Sequence, residues 1–448
     1  MRPYCIFLLL LPTIARTQSL KVLTNQVGYE YNKAKRAVAM AETRLPLSSF
    51  ELIDDSSGKV VYKGQPQFSG PVDHWKHWQF WTIDFTPFTA AGTFRLRVGG
   101  TGHTATSYPF IIGRNVLEKA TLSDILYYFK GQRSAGAIDQ ADHHLVLPPS
   151  AQNPAVQYPG AQAPAGAQGQ ATDTLDLHGG WYDATGDYGI HLSHLSFSTY
   201  FNPQQVSFVV YSLLKTQELL SNRQGTDYRQ FLRRIMDEAT YGADYLVRVQ
   251  AKGGSFYRSI GAPGAAKAAK DRIISPEQQS YRIKQSKDQS FGGDRTVNDW
   301  RSYESSFRSG GGIAIAALAM ASMTDIPGDF SNAQYLQSAE DAFAFLEKNN
   351  PAMTNDGKEN ILDDYCALAA ATELYKATRN DTYRAAAEQR ATSLLNRLAS
   401  WEKYTDYWRA DNADRPFFHP SDAGLPLVTL LYYYPYATTK TQQAIQTA

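Results

Sequence analysis

The run GTFRLRVGGTGHTATSYPFIIGRNVLEKATLSDILYYF, residues 92–129, changes its period partway through. Up to Gly113, apolar and polar side chains alternate in short runs broken by Gly and Pro, the mark of half-buried strands. From Leu117 the apolar side chains recur at three and four, as on a helix with one buried stripe. Upstream, KRAVAM (35–40), SFELID (49–54), KVVYKG (59–64) and QFWTIDF (79–85) repeat the strand pattern between turn residues, with no helical period. Six or more short strands in under a hundred residues predict a β-sandwich. Downstream, one stripe is formed by Val206, Val209, Val210, Leu213 and Leu214, and another by Tyr228, Phe231, Leu232, Ile235 and Ala239. Further helices are predicted over 301–322, 333–348, 361–377, 382–398 and 425–433, so the remainder is mainly α. Two long interruptions, 135–174 and 261–294, are loops of a length that is usually functional or disordered.

The 448 residues allow two or three domains at about 150 residues each. Lys plus Arg is 44 and Asp plus Glu is 43, which leaves no positive field to hold a polyphosphate, and nucleic acid is excluded as an expected partner. The aromatic share of 12% is the compositional oddity. It fits either a well-filled core or surfaces on which flat, weakly polar rings stack.

Residues 1–17, MRPYCIFLLLLPTIART, place Arg2 before an apolar stretch from Tyr4 to Leu11, and read as a secretory signal peptide. Secreted or periplasmic localisation is expected, and no segment is long and apolar enough to predict a membrane span. Removal of the leader takes Cys5 with it. Cys366 then stands alone in an Ala- and Leu-rich helix, so neither an intrachain disulfide nor a Cys-based zinc site is expected. His143-His144 and His191/His194 lack the HExxH setting, and no catalytic metal is expected. A structural calcium held by loop carboxylates is compatible with the sequence, although no EF-hand spacing marks one.

The chemistry-bearing run is HGGWYDATGDYGIHLSH, residues 178–194. Asp183 and Asp187 stand on a Gly-rich loop, where two carboxylates can share one water, one accepting its proton while the other orients it. Trp181, Tyr182 and Tyr188 interleave with them and are candidates for stacking on sugar rings. The alternative from residue types alone is a turn in which the Asp side chains cap neighbouring amides.

HGGWYDATGDYG resembles the aspartate loop of glycoside hydrolase family 9, the cellulase and endoglucanase family, whose pattern is GGWYDAGD. Leu23 to Tyr29, LTNQVGY, is similar to the opening of the immunoglobulin-like domain that precedes many of its catalytic domains. SHLSFSTYFNPQQVSFVVYSLL, ENILDDYCALAAATELYKAT and FFHPSDAGLPLVTLL continue the likeness from about residue 21 onward. The resemblance implies an immunoglobulin-like β-sandwich over 18–113 and an (α/α)6 barrel over 114–448. It implies inverting hydrolysis of β-1,4-glucosidic bonds in cellulose-like β-glucans by a monomer without a catalytic cofactor. It makes Asp187 the general base and Asp183 its partner on the water, with Trp181, Tyr182 and His419 on the substrate. Thr185 lengthens the spacing of the two acids by one residue.

The family's proton-donating Glu belongs to an Asn-Glu motif before the last barrel helix, and no such motif follows Asp422. Fewer helices are legible than the twelve of a closed barrel, so the C-terminal part is expected to be missing and activity to be low or lost. Non-catalytic glycan binding, or a decayed fragment, is the alternative. A different (α/α)6 enzyme, such as an unsaturated uronide hydrolase, is disfavoured by the two motifs. Among internal acids, Glu304 is read as solvated or capping at a helix start. Glu359, Asp363 and Asp364 are read as carboxylates at a helix N-terminus, and Asp422 as an N-terminal cap.

Overall fold

The computed structural model describes residues 20–133 except 74 and 76, 179–181, 205–221, 226–261, 273–275 and, except 355–356, 402–403, 413–414 and 420–421, 304–448. These form two compact units, divided between Ile125 and Leu126. In the first, alternation decides which side chains go inward. Burial alternates along β3 (Arg36–Ala41) and through the middle of β4 (Leu47–Asp54) and β8 (Gly92–Gly100), while β7 (Gln79–Asp84) buries Trp81 and Ile83 on the inner side and Phe80 as well. Ala37, Ala39, Phe50, Leu52, Trp81, Ile83, Leu96 and Val98 thereby meet in one core.

Two sheets enclose that core. One has the order β1-β3-β7-β6, with β1 at Lys21–Leu23 and β6 at Gln67–Gly70. The other runs β2-β10-β8-β4-β5, with β2 at Tyr29–Glu30, β5 at Val60–Gly64 and β10 at Phe110–Gly113, and β9 (His103–Thr106) pairs with β8. All pairings are antiparallel except that of β10 with β2. The expected sandwich is present. Four of its ten strands, β1, β2, β6 and β9, are too short to register as periodic runs.

The NQVGY run has a physical reason. The Asn25 side-chain oxygen accepts from the Val27 amide at 3.0 Å, and the Tyr29 hydroxyl donates to the Arg36 carbonyl at 2.9 Å. Gly28 has φ +111°, and a Cβ there would stand 2.6 Å from the Ile111 carbonyl oxygen. Glu30 then receives the amides of Asn115 and Val116 on its carboxylate. This satisfies the free N–H groups that open α1 (Val116–Gln132).

The second unit is helical: α2 (Val206–Leu220), α3 (Thr226–Arg248), α4 (Gly312–Ala321), α5 (Asn332–Met353), α6 (Ile361–Thr378), α7 (Asp381–Leu395), α8 (Leu425–Tyr433) and α9 (Thr439–Thr447). The described residues also include a two-stranded pairing of β11 (Ser259–Gly261) with β12 (Ile273–Ser275) and a hairpin of β13 (Leu398–Trp401) with β14 (Tyr404–Trp408). GIAIAALAMA, the whole of α4, is apolar all round and buried at every residue, as a central helix must be. It packs against α2, α3, α5 and α6. Cys366 on α6 is fully buried, and burial pushes its thiol well above the usual range, which makes it an inert packing residue.

Three helix boundaries differ from expectation by three residues or more, one being the end of α5, which runs past the predicted Lys348 to Met353. The helix predicted from residue 301 starts later: Glu304 lies in an isolated bridge with Tyr257, and a π turn at Phe307–Gly311 precedes α4. Side chains hold that turn open, because the Phe307 amide donates to Asn350 and the Arg308 amide to Asp363. The helix predicted to reach Leu398 ends at Leu395, since Leu398 pairs with Trp408 in the hairpin.

Candidate active site

Asp183, Asp187, Tyr182 and Tyr188 lie outside the described residues, as do residues 1–17, the four histidines at 143, 144, 191 and 194, and most of both long interruptions. The stem that leads into the aspartate loop, Gly179–Trp181, is described, and it is held by one face of α3. Glu238, Tyr241, Gly242 and Tyr245 fall at i, i+3, i+4 and i+7, so they line up on that face. The Trp181 indole N–H donates to Glu238 Oε1 at 2.6 Å. Its ring meets Tyr241 and Phe129 edge-on, with centroids 5.6 and 5.8 Å apart. The Tyr241 hydroxyl donates to the Gly180 carbonyl at 3.0 Å.

Glycine is required on both sides of this contact. A Cβ on Gly242 would lie 2.4 Å from Trp181 Cη2, and Gly179, at φ +112°, packs against Tyr245. Arg133 closes the arrangement. It pairs in a bridge with Trp181, donates from Nη2 to Glu238 Oε2 at 2.8 Å and to the Asp237 carbonyl at 3.0 Å, and lies over the Tyr241 ring at 4.3 Å. Burial alone would lower the basicity of Arg133, but the facing Glu238 carboxylate outweighs it and holds the guanidinium charged.

Trp181 therefore differs from its expected role on the substrate. It has no exposed surface, and its indole is used up in the anchor. Glu238, Tyr241 and Arg133 were not singled out by the sequence reading. The available signal was the polar and small residues at helical spacing beside the apolar stripe of α3.

His419 also departs from expectation, being 1% exposed. Its Nδ1 accepts the Asp422 amide at 2.9 Å, and Asp422 accepts the Tyr365 hydroxyl at 3.0 Å. Asp422 is consequently not the side-chain cap of α8, whose N-cap position is Gly424. The exposed ring in FFHPSD is the neighbouring Phe418, at 73%. Trp181 packs on α3 and His419 beside α6, so different helices hold them.

The internal acids are structural in their contacts. Asp363 accepts the Asn360 amide in a capping box and faces Arg308 and Asn350, and burial raises its carboxyl. Asp364 is paired with Arg397, and Glu359 with Arg390. Glu304 is buried, not solvated. Its Oε2 accepts the Ser255 amide at 2.9 Å, a Cβ on Gly254 would collide with it, and burial raises its carboxyl against that hydrogen bond. Among the described residues, no group of three or more His, Cys, Asp or Glu is disposed to hold a metal ion, and no helix is long and apolar enough to cross a membrane.

A two-sheet sandwich and a helical unit with a buried central helix, with a glycine-anchored tryptophan two residues before Asp183, define a two-unit protein. Residues 119–417 match the model of glycosyl hydrolase family 9, and residues 17–103 that of the cellulase N-terminal ig-like domain. The chain belongs to glycosyl hydrolase family 9. It is 23% identical over 401 residues to a cellodextrinase of Butyrivibrio fibrisolvens, covering 86% of this chain and 62% of that relative's length. Among solved structures it is similar to a metagenome-derived glycoside hydrolase family 9 endoglucanase, with a TM-score of 0.60 and 21% identity, and to a Bacteroides ovatus GH9 protein, with 0.59 and 18%. Each alignment covers 95% of this chain and 71% of the other. These likenesses bear on the fold, whose helical unit is that of the (α/α)6 barrel enzymes.

Proposed function

We propose that the protein hydrolyses β-1,4-glucosidic bonds of cellulose-like β-glucans with inversion at the anomeric carbon. The observation that carries this reading is the family match over residues 119–417, which contains the loop HGGWYDATGDYG. In the proposed step, Asp187 accepts a proton from a water that Asp183 orients. That water attacks the anomeric carbon, while a protonated carboxyl across the bond delivers a proton to the departing oxygen. In such a pair, base and acid stand roughly 6.5 to 9.5 Å apart, leaving room for the water. Tyr182 lines a subsite in this reading. The anchor formed by Glu238, Tyr241 and Arg133 supports it by fixing the backbone two residues before Asp183.

The leader-like residues 1–17 support export to the cell exterior or periplasm, and a monomer acting without a catalytic cofactor is the simplest form. Asp187→Ala should abolish reducing-end release from cello-oligosaccharides, at least a hundredfold by the usual weight of a general base, with an unchanged circular dichroism melt. Full activity in that variant would remove Asp187 from the mechanism. A second reading, glycan binding without turnover, is favoured by one observation among the described residues: Glu359, Asp363 and Asp364 are each committed to an arginine. Calorimetric binding of cellohexaose without product release by the 448-residue chain would select it.

A further inference from the structure

Phe80 is on the wrong face for a buried residue. On β7 its neighbours Trp81 and Ile83 belong to the sandwich core, so alternation turns Phe80 outward, yet it is only 8% exposed. Trp75, between β6 and β7, packs against it. The two rings are stacked, with centroids 5.7 Å apart and planes 21° from parallel, and Trp75 itself remains 64% exposed. The Trp75 amide donates to the Val72 carbonyl at 3.0 Å. A bulge in β6 between Phe68 and Gly70 lies directly beside it, and bulges re-aim strands in this way.

The same face carries a second ring and a polar border. Phe80 pairs across strands with Met40, and Met40 with Lys21, so Lys21 stands two strands away on the same surface, roughly 10 Å by strand spacing. The Lys21 ammonium lies 5.6 Å from the ring centre of Trp78, which is half-buried. One strand step beyond Phe80, Thr82 and Ser69 share a hydroxyl hydrogen bond of 2.9 Å at the exposed surface. The result is a flat apolar ring, braced from behind, with hydroxyls on one side and an ammonium on the other.

We infer that this outer face of the immunoglobulin-like unit is a glycan-binding surface, on which Trp75 stacks against a ring of a β-linked glucan chain. A β-glucopyranosyl ring presents C–H groups on both faces and hydroxyls at its edge. The flat faces match Trp75, and the edge matches Thr82, Ser69 and Lys21. Stacking requires one braced ring, whereas a stable protein partner would need a contiguous patch of about 800 Å². The choice of a glucan over another sugar rests on the proposed function, while the platform itself rests on the geometry of Trp75 and Phe80. Its effect is to hold the polymer while the helical unit acts on it.

The test uses the full chain with regenerated amorphous cellulose as the adsorbent and soluble cellohexaose as the substrate. Trp75→Ala should adsorb about tenfold more weakly, the scale of one lost aromatic contact. The variant should keep the wild-type circular dichroism spectrum, so that the loss reports the missing ring and not unfolding. Trp75→Tyr, which restores a flat ring, should recover most of the adsorption, and Asp187→Ala should adsorb normally. Unchanged adsorption by Trp75→Ala would overturn the inference. So would a loss of self-association in sedimentation with adsorption unaltered, which would identify the occupant as a second copy of the chain. Activity that survives Asp187→Ala, by contrast, would remove the proposed mechanism and leave the Trp75 result standing.

Discussion

Glu304, Trp181 and His419 each have a side chain suited to chemistry, and burial decides what each does. Glu304 was expected in a solvated or capping role at a helix start, but it lies against Gly254 with one amide on its carboxylate. The sign of its pH effect follows from its raised pKa. Near pH 4 the folded and unfolded chains both keep most of the proton. As pH climbs past the ordinary value of 4.5, the unfolded chain releases it while the folded chain retains it, so stability falls with rising pH. Glu304→Gln keeps an acceptor for Ser255 without the charge. Its stability relative to wild type should therefore improve between pH 4 and pH 7 in urea denaturation. A variant that loses ground over that interval would show that the carboxylate is favoured in the fold. Glu238 has different partners, since Arg133 and the Trp181 indole both donate to it. No pattern in the sequence separates these two glutamates, because their partners lie 49 and 57 or more residues away.

At the level of elements, period and length governed what was legible. The long strands and α1 to α3 and α5 to α8 carry enough apolar repeats to be read, whereas β1, β2, β6 and β9 have between two and four residues each. α9, TKTQQAIQT, buries only Thr441 and Ile445 and gives no stripe. The start of α4 was misjudged because side chains from α5 and α6, Asn350 and Asp363, satisfy the amides of the preceding π turn. Just beyond that turn, Gly312 shows tertiary contact opposing local propensity. A Cβ there would lie 2.7 Å from Cys366 Cβ and 2.8 Å from its backbone carbonyl. Gly312→Ala gains about 1 kcal/mol of helix propensity but overpacks a backbone contact at a cost of about 1 to 3 kcal/mol. Net destabilisation is expected in chemical denaturation, and a more stable variant would mean that α4 and α6 can separate freely.

For the whole molecule, two units with separate cores set the expectations. Leu96 is fully buried in the sandwich, and Leu96→Ala should cost about 2 to 5 kcal/mol there. Hydrogen exchange should show β4 and β8 losing protection while α4 and α6 keep theirs; uniform loss would mean that the two units open together. The change of period at Gly113 and the presence of the NQVGY and GGWYDATGDYG motifs were determined by the sequence alone. A period is a side-chain pattern repeated locally, and a motif is a string of neighbouring residues. The tertiary structure decided that Trp181 is an anchor and His419 a packing residue, that Glu304 is buried, and that Trp75 is braced on Phe80 at an exposed surface. Burial and pairing are properties of what other segments bring to a residue, and those segments meet only when the sheets and helices have packed.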